Sequence, residues 1–93
     1  MIVSNMQSRK GNAVANQFII NTPEATYFKS YNSIIVKTIA GNGIDRAREV
    51  LLDEYYWNYS RTTSKYRSMF LGESTEETRA KIKSGEYKLV DLN

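Results

Sequence analysis

The stretch Tyr55-Tyr56-Trp57-Asn58-Tyr59-Ser60-Arg61-Thr62-Thr63-Ser64-Lys65-Tyr66-Arg67-Ser68-Met69-Phe70-Leu71-Gly72 holds six of the eleven aromatic residues of the chain and decides how it folds. Ser60 or Thr62 suits a helix N-cap, where a hydroxyl accepts from backbone N–H groups that have no partner inside the helix. Tyr66, Met69 and Phe70 follow at i, i+3, i+4 spacing, which puts them on one helical face. Gly72 suits the left-handed position just past a helix end. The spacing therefore predicts a helix over 62–71 with an aromatic side to bury.

Downstream, Ser74-Thr75-Glu76-Glu77 has the form of a capping box, with Ser74 as cap and Glu77 reaching back. Acidic residues open this second helix and Arg79, Lys81 and Lys83 close it, matching the helix dipole. Ser84-Gly85 stops it. Tyr87–Leu92 reads as a last strand at a sheet edge, and the alternating charges of the helix read as a solvated face.

Upstream, Ala25–Ser30 and Ser33–Ile39 are rich in β-branched and aromatic residues and flank Tyr31-Asn32, the pattern of a hairpin. In the second arm Ile34, Val36 and Thr38 alternate with Ile35, Lys37 and Ile39, so both faces carry apolar groups, as in a central strand. Residues 16–21 read as another strand, closed by the turn Thr22-Pro23-Glu24. Ala40-Gly41-Asn42-Gly43 ends the hairpin. Ile44–Asp53 fits either a short helix, on Ile44, Ala47 and Leu51, or a loop leading into a strand over 50–53, the reading favoured here. Residues 1–11 are mostly polar and end at Gly11, and they read as a flexible arm ahead of one domain over 12–93. The expected fold class is α+β: a small antiparallel sheet packed by one or two short helices, with a C-terminal edge strand.

Composition limits the chemistry. The chain has neither cysteine nor histidine among its 93 residues. That excludes Cys–His pairs, Ser–His–Asp triads and zinc sites built on thiolates or imidazoles. Without disulfides, without an apolar run of membrane-spanning length, and without a signal-like order at Met1–Lys10, the expected compartment is the cytoplasm. The net charge is +3. Residues 1–48 hold six Lys or Arg against Glu24 and Asp45, and residues 49–93 hold seven against eight, so the basic excess lies in the first half. A polyanionic partner is compatible with that asymmetry.

The segments Asn16–Ile20, Tyr27-Phe28-Lys29-Ser30-Tyr31 and Trp57-Asn58-Tyr59-Ser60-Arg61-Thr62-Thr63-Ser64-Lys65-Tyr66 resemble small bacteriophage and prophage proteins. Those proteins share a Tyr-Phe-x-Ser-Tyr hairpin followed by a Tyr-Ser-x-Thr-Thr-Ser-x-Tyr helix start. The likeness covers roughly residues 12–71. It implies a setting, the cytoplasm of a bacterial host, and a kind of role: an accessory factor that binds a host or defence-system protein, as anti-CRISPR proteins do. It carries over no catalytic residue.

Four groups of residues are candidates for function. Arg61, Thr62, Thr63, Lys65 and Arg67 place hydroxyls and cations at a helix start, where an anion or nucleic acid can bind, with Arg9 and Lys10 as further cations. Against this, helix capping alone accounts for the hydroxyls and solvation for the cations. Tyr55 and Tyr56, with Tyr31 of the hairpin, are candidates for a protein contact, while Trp57 and Phe70 read as core. Asp45, Glu49, Asp53 and Glu54 match no metal-ligand spacing and read as a solvated surface. An unpaired edge over Tyr87–Leu92 offers strand pairing, including a homodimer. No metal, cofactor or catalytic residue is expected. A protein-binding role leads, nucleic-acid binding comes second, and a minor enzyme without His or Cys chemistry is third.

Overall fold

The computed structural model describes residues 1–39 and 49–93. Six strands, β1 (Ile2–Gln7), β2 (Ala13–Asn21), β3 (Thr26–Ser30), β4 (Ser33–Ile39), β5 (Glu49–Asp53) and β6 (Lys88–Val90), form one sheet in the order of the chain. Helices α1 (Arg61–Leu71) and α2 (Thr75–Ser84) separate β5 from β6. Neighbours from β1 to β5 are antiparallel, whereas β6 runs parallel to β5. A parallel neighbour needs a crossover connection, and the two helices supply it. The result is an α+β fold whose C-terminal strand lies at an edge.

The expected arm over 1–11 is instead a strand and a turn. β1 pairs with β2, and Ser8 and Asn12 close the connection, with Gly11 at φ +82°. Of the six β1 residues only Met6 is buried. An edge strand can be held by backbone hydrogen bonds alone, and Ile2, Val3 and Met6 do not alternate with the polar residues of β1, so the strand has no period-2 pattern. Of the Ile44–Asp53 segment, Glu49–Asp53 is the strand β5, and residues 44–48, like the expected Gly-rich break at 40–43, lie outside the described residues.

Register places the core. Ile19 faces Phe28, Phe28 faces Val36, and Val36 faces Leu52, a cross-strand row through the four central strands. Phe70 of α1 stacks on Phe28 at 5.8 Å, and Ile82 of α2 packs against the same cluster. Both helices therefore cover one face of the sheet. Each fully buried large apolar side chain in such a row contributes about 1.5–3 kcal/mol. Simple alternation in β4 fails at Ile35: a bulge opposite Phe28 and Lys29 lets Ile35 and Val36 both enter the core. Met69 is exposed, and the inward stripe of α1 is Thr63, Tyr66, Arg67 and Phe70, at i, i+3, i+4, i+7.

The caps follow from the sequence. Ser60 Oγ accepts from Thr63 N, and Gly72, at φ +72°, donates its N–H to Ser68 O. Ser74 and Glu77 form a complete capping box at 3.1 and 3.0 Å, and Gly85 ends α2 at φ +86°. No helix among the described residues is long and apolar enough to cross a membrane.

Candidate functional site

Two segments far apart in the chain meet at the start of α1. The first is the β3–β4 turn, where Tyr31 adopts φ +56° and donates its N–H to Asn16 O at 2.7 Å. A bulky L-residue in this left-handed region pays a steric penalty of roughly 1–2 kcal/mol, because its Cβ crowds the following carbonyl. The second is the connection after β5, which Asp53 folds over by accepting from the N–H groups of Tyr55 and Tyr56. Between them lies a cavity of about 170 Å³ lined by Ser30, Tyr31, Ser33, Ile35, Tyr56, Tyr59, Ser60 and Thr63.

The small hydroxyls of this cavity largely satisfy one another. Ser30 Oγ and Thr63 Oγ1 share a hydrogen bond of 3.0 Å, and Ser60 Oγ donates to Thr63 Oγ1 at 3.1 Å while accepting from Thr63 N. What remains toward solvent is aromatic. Tyr55, Tyr56 and Tyr59 contact each other edge-on or tilted, with centroids 4.7, 5.2 and 5.8 Å apart. Tyr31, Tyr55 and Tyr59 are 52, 68 and 62% exposed, while Tyr56 packs partly against the core. Among the described residues, no charged side chain lines the recess. Such a site suits an uncharged, largely apolar group, because exposed rings bury large area on contact at little entropic cost.

The three tyrosines expected to make a protein contact, Tyr31, Tyr55 and Tyr56, are thus gathered in one place, and Tyr59 joins them. The expected anion site is divided. Arg61, Thr62 and Lys65 are exposed, with the Lys65 ammonium over the Tyr66 ring at 5.3 Å. Thr63 is buried inside the hydroxyl chain. Arg67 is 0% exposed: it donates to Trp57 O and to Thr75 Oγ1, and stacks on the Trp57 ring at 5.2 Å. Burial pushes its pKa down, with the charge of Glu73 opposing. Arg67 therefore ties the connection to both helices and is closed to any ligand. Its place in the inward stripe Thr63-Tyr66-Arg67-Phe70 was the available signal.

A second polar cluster lies at the other end of α1. Glu73 accepts from Tyr87 OH at 2.6 Å, Thr78 Oγ1 at 2.6 Å and Lys81 Nζ at 2.9 Å. Burial raises the Glu73 pKa, but these three donors together bring it below the ordinary carboxylate range. Tyr87 is pushed up, by burial first and by Glu73 second, and Lys81 is pushed up by its bond to Glu73. Each group is thus displaced away from neutrality, the opposite of what acid–base work at pH 7 requires. Asp53, expected on a solvated surface, is buried; burial raises its pKa, yet bonds from Leu92, Tyr56, Asn93 and Tyr55 lower it overall. None of these displaced groups lines the cavity. Among the described residues, no three carboxylates gather as metal ligands would.

Fold and site together define a small α+β protein that presents a neutral, tyrosine-rimmed recess where a strained hairpin turn meets a helix start. Residues 1–86 match the model of a family described as "Family of unknown function (DUF8033)", and the chain belongs to that family. No curated protein and no solved structure matches it.

Proposed function

We propose that the protein is a non-catalytic binding module that captures a partner protein by receiving an apolar side chain in the tyrosine-lined cavity. The observation that carries this reading is Tyr31. The two-residue hairpin turn puts residue 31 at φ +56°, where glycine or asparagine is favoured; a tyrosine there, on the rim of a cavity, is strained, and such strain concentrates at ligand-contacting positions. A space of about 170 Å³ suits a single large side chain, and the neutral lining selects against a charged one. Exposed tyrosines around a central recess are also the composition of energetic hot spots in protein interfaces.

The likeness to small phage proteins supplies the kind of partner: a host or defence-system protein met in the cytoplasm of the bacterial cell, as for an anti-CRISPR-type inhibitor. The reading calls for no metal and no cofactor. It is tested by capture from bacterial lysate, with the immobilised protein compared against a Tyr31→Asn/Tyr59→Ser double variant. The expected result is a saturable protein partner retained at micromolar concentration and lost with the variant. Absence of such a partner, or equal retention by the variant, overturns the proposal.

A further inference from the structure

The face of the sheet turned away from both helices has its own chemistry. Phe28 and Ser30 point at α1, so Tyr27 and Lys29 point the other way. Register places Phe18 directly beside Lys29 and Tyr27 directly beside Lys37, whose ammonium lies 5.7 Å from the Tyr27 ring centre. Lys88 extends the second row by way of Leu51. Strands β1 to β4 contain two charged residues in all; both are lysines, both lie on this face, and each has an aromatic neighbour across the ladder. Of the carboxylates sharing its alternation, Asp53 is buried and already accepts four hydrogen bonds, and Glu49, exposed and diagonal to Lys37 and Lys88, is paired across the ladder with Ile39 rather than with a lysine. Among the described residues, neither helix covers this face.

We infer that this open face binds single-stranded nucleic acid, a function separate from the tyrosine-lined cavity. Bases stack on Phe18 and Tyr27, and Lys29, Lys37 and Lys88 neutralise the phosphates between them. Paired aromatic rings and cations give binding that tolerates sequence, because every base has a π-face and every nucleotide a phosphate. An acidic peptide would satisfy the lysines but offers nothing to the rings. A purely protective role for the lysines, in which they keep a flat sheet from associating, would require no aromatic partner at each position.

The test is fluorescence anisotropy with labelled oligouridine and oligothymidine of about 12 nucleotides, titrated with the intact protein over a range of salt. Neutralising three phosphates predicts a slope of log K against log salt of about −2, from roughly −0.7 per phosphate on a single strand. The Lys29→Gln/Lys37→Gln variant should flatten that slope by about 1.4. Phe18→Leu, which keeps the apolar volume and removes the ring, should weaken binding about tenfold at every salt concentration with the slope unchanged. Circular dichroism confirms that each variant folds. The inference is overturned by an absence of salt-dependent binding, by full binding in the double lysine variant, by loss of binding on Arg61→Gln/Lys65→Gln instead, or by polyglutamate competing as well as the oligonucleotide.

Discussion

The two ends of α1 both gather hydroxyls and tyrosines, and they use them in opposite ways. At its C-terminal end Tyr87 is buried with its phenol bonded to Glu73, and Thr78 and Lys81 complete the shell. At its N-terminal end the hydroxyls of Ser30, Ser60 and Thr63 bond to one another, while the rings of Tyr31, Tyr55 and Tyr59 remain in solvent. A tyrosine whose oxygen is held inside contributes to the fold, since removing its partner leaves a buried polar group unpaired. A tyrosine whose ring is held outside contributes little to folding and is available to a partner. The contrast makes the C-terminal cluster a lock and the N-terminal one a receptor, and it can be broken from either side.

The largest effect should come from the lock. Glu73→Ala leaves the Tyr87 hydroxyl and the Lys81 ammonium without their main acceptor and Thr78 Oγ1 with Ser74 O alone, which should destabilise the protein by about 2–4 kcal/mol. In a chain of this size that lowers the thermal midpoint by roughly 10–20 °C, read by calorimetry. Arg67→Met, which removes the guanidinium from Trp57 O and Thr75, should have a smaller effect of about 1–3 kcal/mol, because methionine refills the space over the Trp57 ring. If Glu73→Ala is instead neutral, the cluster is ornamental and the contrast fails.

The same lock sets the pH response. Glu73 and Asp53 have folded-state pKa values below those of the unfolded chain, so their contribution is complete above the ordinary carboxylate range and is lost as pH falls through the folded values. Tyr87 and Lys81 are raised, so theirs is present below about pH 10 and is lost as pH climbs through the folded values. Urea midpoints should therefore stay level between about pH 5 and 9 and fall on both sides. Glu73→Gln should blunt both edges, because Glu73 is itself displaced and is also a cause of the displacement at Tyr87 and Lys81. A profile for the variant parallel to that of the parent would assign the pH response to other groups.

How much of this could be read in advance depended on distance along the chain. Ser60, Gly72, Ser74 with Glu77, and the Tyr31-Asn32 turn act on neighbours within a few residues, and the sequence pattern showed each of them. β1 was hidden because an edge strand is held by backbone bonds that leave no side-chain pattern. The parallel pairing of β6 depends on where two helices return the chain. Arg67 departs from the expected anion site because Thr63, Tyr66, Arg67 and Phe70 repeat as a buried stripe, and in this helix spacing outranks charge. Tyr31 and Tyr56 were each recognisable as contact candidates, but only the sheet brings the hairpin to the start of α1 and makes a cavity of them.

On the receptor side the effects should be smaller in stability. Thr63→Val keeps the shape of the side chain and removes the hydroxyl that joins Ser30 to Ser60. It should cost about 1–2 kcal/mol, measured by urea denaturation, since Ser30 is buried and loses its partner.

The finest test is Tyr31→Gly. If the tyrosine were there for the fold, its removal would destabilise the hairpin. The backbone argues otherwise: at φ +56° glycine escapes the steric conflict that a β-carbon creates, a gain of up to about 1–2 kcal/mol, while its greater freedom in the unfolded chain offsets about 0.5–1 kcal/mol. The exposed ring loses little burial. The expected outcome is a urea midpoint unchanged or raised by up to about 1 kcal/mol equivalent, with the backbone bond from residue 31 to Asn16 O intact by amide exchange. A clear loss of stability would mean that the Tyr31 ring is packed for the sake of the turn, and the strain at the cavity rim would then have a purely structural explanation.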